Sequence, residues 1–204
     1  MIRGTRNIKE DEAWKFEMVT RTLTQIAQDY GYEPFYPSSL AEQEIFINKA
    51  GKEILNQMYT FKDKGNRDIC LIPEVTALVQ DIYNKEWINS RPKPIRLYYL
   101  TKCYRYDRPQ AGRYREFWQF GIEFLGGKDP GDKKEVIKIL EKCMSSIGPE
   151  EWILKDQVKR GLDYYVEDGF EVENPALGAQ KQIAGGGRYK EGIGWAIGVD
   201  RLLL

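Results

Sequence analysis

The sequence predicts an α+β fold, a mostly antiparallel β-sheet flanked by helices. One observation is the stretch 101–126, in which two extended segments are joined by a loop containing Pro109 and Gly112, as in a hairpin. A second is that strands follow one another directly and helices are grouped between them, whereas a wound βαβ fold would alternate the two. No repeat or low-complexity linker divides the chain, so we expect a single domain, residues 1–204.

The first half of the chain carries clear local signals. Apolar residues recur at helical spacing after position 11, two prolines interrupt an extended piece, and serines precede a second helical pattern. The predicted elements are a helix over 11–30, an edge or junction piece over 32–37, a helix from Ser38 or Ser39 to about Lys49 with Gly51 as its breaker, a hairpin of 58–62 and 68–72, and a helix from Pro73 to about Trp87.

The second half continues the same mixture after the 101–126 hairpin. An apolar stripe predicts a helix, short runs of alternating residues predict strands, and the end of the chain is almost wholly apolar. The predicted elements are a helix over 133–147, strands over 152–158, 164–172 and 182–184, and a last helix over 194–204 of about three turns.

The second strand of the hairpin has two different faces. The side-chain period of 2 places four apolar residues on one face, Trp118, Phe120, Ile122 and Phe124, and a more polar set on the other, Phe117, Gln119, Gly121 and Glu123. We expect the first face to be core. Gly121 leaves a gap in the second face, which indicates a bulge or the close approach of a ligand.

Composition limits the chemistry. The 31 Lys and Arg balance 31 Asp and Glu, so any anion binding must be local, and the absence of histidine removes the commonest general base and metal ligand. Three separated cysteines in apolar surroundings are expected to be reduced and buried. The chain has no secretory signal and no apolar run long enough to span a membrane, which predicts a cytoplasmic protein.

Arginines are the first candidates for a site. Four lie within eleven residues of the hairpin loop, Arg105, Arg108, Arg113 and Arg115. Their forks suit phosphate or carboxylate, although a solvated ribbon of ion pairs has the same appearance. Arg201 stands in an apolar segment, where a buried guanidinium requires an anion, either Asp200 or a ligand.

Three further motifs have two readings each. The glycines at 185–187 form either a bulge or a flat surface for a ring or sugar. The segment 160–165, RGLDYY, is either a surface turn or a cluster of a cation, a carboxylate and two phenols. Glu74 either favours the first turn of its helix or holds an ammonium group.

Taken together, these motifs resemble the catalytic core of the class II aminoacyl-tRNA synthetases, and among them the histidyl-tRNA synthetases. The helix and extended piece over 11–37 resemble the first class motif, YRYDRPQAGRYREFWQFGIE at 104–123 the second, and GWAIGVDRLLL at 194–204 the third. RGLDYY at 160–165 and AGGGRY at 184–189 resemble signatures of the histidyl group.

The resemblance implies an activity and a role for each site residue. The reaction would be activation of histidine by ATP with Mg²⁺, followed by transfer to tRNA(His), in a homodimer formed through residues 11–37. The implied catalytic residues are Arg105 and Arg160 on the α-phosphate. The implied ATP-binding residues are Arg105, Arg113, Glu116, Phe117 and Arg201, the last on the γ-phosphate. The implied amino-acid-binding residues are Glu74 and Thr76 for the amino group, Gln119 nearby, and Glu123, Tyr165 and Tyr189 for the imidazole.

The sequence also departs from the family pattern. Ile72 stands where an arginine is usual, Trp118 where another aromatic or a histidine is common, and the connection from Gly126 to Arg160 is too short for the usual insertion domain. The family's anticodon-binding domain would follow Leu204. Two alternatives therefore stand beside the ligase reading: a non-catalytic, histidine-sensing regulatory subunit of ATP phosphoribosyltransferase, and an adenylating enzyme with a carrier protein or small molecule as acceptor.

Overall fold

The computed structural model of the protein describes residues 2–49, 51–127, 130–159, 161–178 and 180–204, with the side chains of 51–53 left aside. Its helices are α1 Glu10–Asp29, α2 Glu44–Ile47, α3 Gly51–Gln57, α4 Thr76–Ile82 continued by a π-helical turn Tyr83–Trp87, α5 Pro130–Ile147 and α6 Val199–Leu202. Its strands are β1 Glu33–Pro34, β2 Leu40–Glu42, β3 Thr60–Lys62, β4 Asp68–Leu71, β5 Ile95–Tyr104, β6 Glu116–Leu125, β7 Ile153–Val158, β8 Gly169–Glu173, β9 Gln182–Tyr189 and β10 Gly192–Gly198.

The strands form two sheets. The larger has seven strands in the order β1-β5-β6-β10-β9-β8-β7, and the smaller has the order β2-β4-β3. Every neighbouring pair in both sheets is antiparallel except β1 with β5, which is parallel. β1 lies at the edge of the large sheet, where its Pro34 removes no ladder donor from an inner strand. The predicted α+β class with a mostly antiparallel sheet is confirmed.

The two faces of β6 separate two cores. Phe120, Ile122 and Phe124 are buried with α1 and α5 in one apolar cluster, and Trp118 packs at its margin. The second cluster lies across the sheet and includes residues of β4, α4 and β5. The predicted core face of β6 is therefore confirmed, and its polar face is left for the site. The three cysteines, Cys70, Cys103 and Cys143, are free and buried, as predicted.

The helix predicted from Ser38 or Ser39 to about Lys49, directly after β1, was wrong. Residues 38–49 do not form one helix: β2 pairs with β4, and only the short α2 follows. Pairing with a distant strand overrides the helical pattern there. Gly51 begins α3 instead of ending a helix, and α4 begins at Thr76 instead of Pro73.

The predicted last helix over 194–204 was also wrong. Residues 192–198 form β10, between β6 and β9, and only the single turn α6 follows. A strand buried on both faces is apolar throughout, so its sequence lacks the alternation that distinguishes strand from helix. Residues 185–187 likewise lie inside β9, which is longer than the predicted strand over 182–184. The predicted strand over 164–172 is shorter and begins at Gly169, because the residues before it line the cavity. Among the described residues, no helix has the length and apolar character needed to cross a membrane.

Candidate active site

An open cavity of about 380 Å³ lies on the polar face of the large sheet. Its floor comes from β5, β6, β9 and β10, and its rim comes from the β5–β6 loop, the start of α4 and the segment before β8. The predicted site residues that line it are Glu74, Thr76, Arg105, Arg113, Phe117, Gln119, Tyr165 and Arg201. These residues are far apart in sequence, and the sheet order places their strands side by side.

Three arginines of the described part of the chain line the cavity. Arg105 donates from Nε to the Pro73 carbonyl at 2.8 Å, and its guanidinium lies 5.5 Å above the centre of the Phe117 ring. Arg113 donates from Nε and Nη2 to the two carboxylate oxygens of Asp107, at 2.8 and 2.9 Å. These hydrogen bonds hold one side of each guanidinium in place. Less entropy is therefore lost when the remaining N–H groups bind an anion.

Arg201, like Arg105 and unlike Arg113, donates to neutral acceptors. In the described part of the chain, it donates from Nε to the Gly112 carbonyl at 3.1 Å and contacts the carbonyl of Gln182 and the side-chain oxygen of Gln180. Burial, followed by the positive charges of Arg113 and Arg105, lowers the pKa of Arg201. An anion in the cavity would relieve that repulsion, so the arrangement favours a polyanion.

Glu74 lies just before α4, supports the start of that helix and lines the cavity, while its binding of an ammonium group stays a prediction. Its Oε1 accepts the Ala77 N–H at 2.9 Å, so it caps α4, while Oε2 accepts the Tyr164 hydroxyl at 3.3 Å. The side chain is 3% exposed and still contributes to the cavity wall. Burial raises the pKa of Glu74, opposed by the Ala77 N–H and by Arg105. An ammonium group beside it would stabilise the ionised form.

Behind the cavity wall, Glu123 is completely buried. It accepts the Thr76 hydroxyl at 2.7 Å and the Tyr189 hydroxyl at 2.6 Å. Burial raises its pKa to about 8, although these two hydrogen bonds oppose the shift. Glu123 and Tyr189 are not among the residues that line the cavity, and Thr76 stands in front of Glu123. Their expected contact with an imidazole stays a prediction.

Glu116, another predicted site residue, lies away from the main cavity. Glu116 lies on the opposite face of β6 from Phe117, pairs with Lys102 at 2.8 Å and lines a separate cavity of about 420 Å³. Strand alternation explains this correction, since neighbours along a strand point to opposite faces. Arg160 lies outside the described residues, but its neighbours Lys159 and Gly161 line the main cavity.

Sequence reasoning missed residues that complete the site. Tyr99 lies directly opposite Gly121 across the β5–β6 ladder, and a side chain at Gly121 would collide with its hydroxyl. The gap at Gly121 is therefore filled by Tyr99 and is neither a bulge nor an opening to a ligand. Asp107, which fixes Arg113, also lines the cavity. Tyr164, one of the two phenols of the 160–165 motif, lines it too and donates its hydroxyl to Glu74. Only strand register could have identified Tyr99.

The Gly185–Gly187 run makes room for a tyrosine. A Cβ at Gly187 would lie 2.8 Å from the Tyr165 ring, so the bare backbone of β9 lets that ring pack against it. Tyr165 in turn lies against Tyr164, with 4.6 Å between ring centres. Cys103 contributes from the neighbouring strand, where its thiol donates to the Gln119 amide oxygen at 3.2 Å.

The sequence matches the family model described as histidyl-tRNA synthetase over residues 4–155. The histidine–tRNA ligase of Archaeoglobus fulgidus is 40% identical over 146 residues, which cover 72% of this chain and 36% of that protein. The enzyme of Methanocaldococcus jannaschii is 41% identical over 146 residues, covering 72% of this chain and 35% of that protein. The matched part therefore spans about a third of the length of these relatives.

A longer match includes almost the whole chain. The histidine–tRNA ligase of Desulforamulus reducens is 28% identical over 306 residues, covering 99% of this chain and 73% of that protein. Because the matched region is longer than the 204 residues of this chain, that relative has internal sequence with no counterpart here. The short connection noted between Gly126 and Arg160 is consistent with such a difference.

Solved structures show the same fold. Apo histidyl-tRNA synthetase of Staphylococcus aureus superposes with a TM-score of 0.83 and 28% identity, covering 100% of this chain and 68% of that one. A Bacillus halodurans protein described as an ATP phosphoribosyltransferase regulatory subunit/histidyl-tRNA synthetase also gives 0.83, at 15% identity, covering 98% and 81%. The second likeness concerns the fold alone. The fold, the motifs and the family match agree: this chain has the catalytic-core fold of a class II aminoacyl-tRNA synthetase and belongs to the histidyl-tRNA synthetase family.

Proposed function

We propose that this chain activates histidine with ATP, forming histidyl-adenylate and pyrophosphate, and transfers the histidyl group to tRNA(His). One observation carries the proposal: a single cavity has three guanidiniums in its wall together with a buried carboxylate, Glu74, and a hydroxyl, Thr76. In the proposed reaction the carboxylate of the amino acid attacks the α-phosphorus of ATP. A cationic surface for the triphosphate and an acidic, hydroxyl-bearing surface for the amino acid must therefore lie side by side.

The cations provide the nucleotide subsite. Arg105 would bind the α-phosphate and the negative charge that grows on it during attack, while Arg113 and Arg201 would bind the outer phosphates that leave as pyrophosphate. Fixed cations that contact developing charge typically contribute about 10²-fold or more in rate each. Phe117 would contact the nucleotide beneath Arg105. Glu116 is left out of this proposal because its carboxylate lies on the other face of the sheet.

Glu74 and Thr76 provide the amino-acid subsite. Glu74 would accept from the substrate ammonium, with Gln119 and Tyr165 beside it. Glu123 would accept an imidazole N–H once the Thr76 hydroxyl gives up its place on the carboxylate, with Tyr189 holding the second oxygen. Specificity for histidine would then come from a buried acceptor that most other amino acids leave unpaired.

Magnesium would be bound mainly by the phosphates. Among the described residues, no group of three Cys, Asp or Glu side chains is arranged to hold a metal. In the cavity, Asp107 is engaged by Arg113, and Glu74 by the start of α4. Mg²⁺ would supply charge neutralisation to the phosphate oxygens, and the arginines would hold those oxygens in place.

A second function has one observation in its favour. The Bacillus halodurans protein with the same fold is described in part as a regulatory subunit, so a histidine-sensing role is our alternative. A sensor of histidine alone would not need a cluster of guanidiniums, whereas in the described chain three of them share the cavity with Glu74 and Thr76. This favours the enzyme. For the second step, a carrier protein or small molecule is the alternative acceptor to tRNA(His).

Pyrophosphate exchange tests the proposal. With ATP and Mg²⁺, we expect labelled pyrophosphate to enter ATP when histidine is present and not with the other amino acids. Arg105→Ala and Arg201→Ala should each lower exchange by about 10²-fold or more while melting as the wild type does. Arg67→Ala, an exposed arginine paired with Asp63 in the β3–β4 hairpin, is the matched control.

The outcomes separate the candidates. A flat response across all amino acids would refute activation. Histidine binding by calorimetry without any exchange would support the sensor. Exchange without labelling of tRNA(His) by radioactive histidine would point to another acceptor. Loss of folding in the Arg105 or Arg201 variant would assign that residue a structural role instead.

A further inference from the structure

The N-terminal segment, residues 2–7, lies against the loop that carries Arg113. The Arg115 N–H donates to the Gly4 carbonyl at 2.7 Å, and the Arg115 side chain donates to the Arg3 carbonyl at 3.4 Å. The guanidinium of Arg6 covers the Tyr114 ring, 4.7 Å from its centre. The N-terminal segment therefore holds the β5–β6 loop in place from outside, without lining the cavity itself.

Arg6 also binds α6, the turn that carries Arg201. Its Nε and Nη2 donate to Oδ1 of Asp200 at 3.0 and 2.7 Å, and its Nη1 contacts Glu12. The other oxygen of Asp200 accepts the Trp118 N–H at 2.7 Å. Asp200 is 4% exposed, so both oxygens of a buried carboxylate are satisfied. A second link to α6 comes from Lys15, which donates to the Leu203 carbonyl at 3.1 Å.

The pairing of Asp200 decides the environment of Arg201. The two residues are adjacent in sequence, and a buried carboxylate without a counter-charge would attract the nearest guanidinium. Arg6 supplies that counter-charge on the side away from the cavity. Arg201 consequently donates to neutral oxygens in the described chain and faces the other two arginines of the cavity.

We propose that Arg6 is a positioning residue for ATP binding. It neutralises Asp200, which keeps Arg201 directed into the cavity, and it packs on Tyr114, which holds the loop of Arg113 in register with α6. This inference rests on the proposed function, since it assigns Arg6 to the nucleotide subsite and not to the amino-acid subsite.

Kinetics of Arg6 variants test the inference. In pyrophosphate exchange, we expect Arg6→Ala to raise the KM for ATP about tenfold to a hundredfold, as displaced binding groups do, and to leave the KM for histidine within about twofold. Arg6→Lys, which keeps the charge and loses the fork, should lie between. Arg67→Ala, which removes an exposed partner of Asp63 in the β3–β4 hairpin, should change neither constant. Equal changes in both KM values, or none, would overturn the proposal.

A double variant covers the case in which Arg6→Ala fails to fold. Arg6→Ala combined with Asp200→Asn removes the uncompensated charge, and the side-chain oxygen at position 200 still accepts the Trp118 N–H. We expect this double variant to regain the melting temperature and to bring the KM for ATP back toward the wild-type value. A double variant that folds but keeps the full defect of Arg6→Ala would show that the charge of Asp200 is irrelevant.

Hydrogen exchange separates this inference from the proposed function. In protein without ligands, Arg6→Ala should speed exchange of the Gln110, Arg113 and Arg115 amides, which bond within the loop or to Gly4, and leave β9 and β10 unchanged. If exchange speeds up but the wild type activates no amino acid, the positioning role stands and the proposed function fails. If the amides are unaffected, the positioning role fails whatever the activity.

Discussion

The protonation of Glu123 couples the site to the stability of the fold. Burial raises its pKa to about 8, with repulsion from Glu74 in the same direction. Because the folded pKa lies above the ordinary 4.5, the folded protein holds this proton more tightly than the unfolded chain. Its contribution to the free energy of unfolding is therefore complete below pH 4.5 and is lost as the pH rises through 8.

A substitution isolates that contribution. Glu123→Gln cannot ionise, so the difference in free energy of unfolding between wild type and variant should change by roughly 1 kcal/mol per pH unit between pH 5 and 8. Urea titrations at several pH values measure it. Glu141→Gln, on the exposed side of α5, is the matched control and should show no such slope. A parallel pair of curves for wild type and Glu123→Gln would place the titrating group elsewhere.

Among the helices and strands, side-chain periodicity predicted the correct element where one face of that element is solvent-exposed or polar. The alternation along β6 predicted its buried face and its site face correctly, because the two sides differ in polarity. The pattern failed for β10, which is buried on both sides and reads as a helix. It also failed for β2, whose strand conformation depends on pairing with β4, about thirty residues away.

The glycines of β9 are predicted to be necessary for stability, because their bare backbone lets a tyrosine ring pack against the strand. Gly187→Ala would place a methyl group 2.8 Å from the Tyr165 ring and 3.2 Å from the Gly169 Cα, where backbone cannot yield easily. We expect a loss of about 1–3 kcal/mol in the free energy of unfolding, as in overpacked cores, together with weaker histidine activation. Gly178→Ala has open space around the new methyl group and should change neither property. Equal stability of the two variants by urea unfolding would contradict this packing argument.

The candidate active site is assembled from segments that are far apart in the sequence. The sequence alone therefore identifies candidate residues but not the contacts between them. Arg105, Glu74 and Arg201 were chosen from their local chemistry and motif resemblance, and they do line one cavity. The displacement of Glu123 behind Thr76, and the bond of Arg6 to Asp200 across 194 positions, depend on side-chain packing between elements. Composition and periodicity contain no information on such contacts.

The homodimer that the family resemblance implies stays a prediction, and exposed apolar residues of α1 and of the segment after β1 support it. Trp14 and Met18 are one turn apart on α1, and 73% and 60% of their surfaces are exposed, while Tyr36 after β1 is 83% exposed. Large apolar side chains exposed together mark interaction surfaces more often than scattered ones do. In a dimer these residues would be covered. All three lie within residues 11–37, the region through which the resemblance implies a homodimer.

Light scattering after gel filtration at micromolar concentration should therefore report twice the chain mass of 23.8 kDa. Trp14→Glu combined with Met18→Glu should convert the protein to monomer, because two carboxylates in an apolar interface cannot be desolvated without loss of several kcal/mol. Ile153→Glu is the control, since this residue is 48% exposed in β7, at the opposite edge of the large sheet from β1. A wild-type monomer would refute the proposed interface, and a dimer that persists in the double variant would move it to another surface.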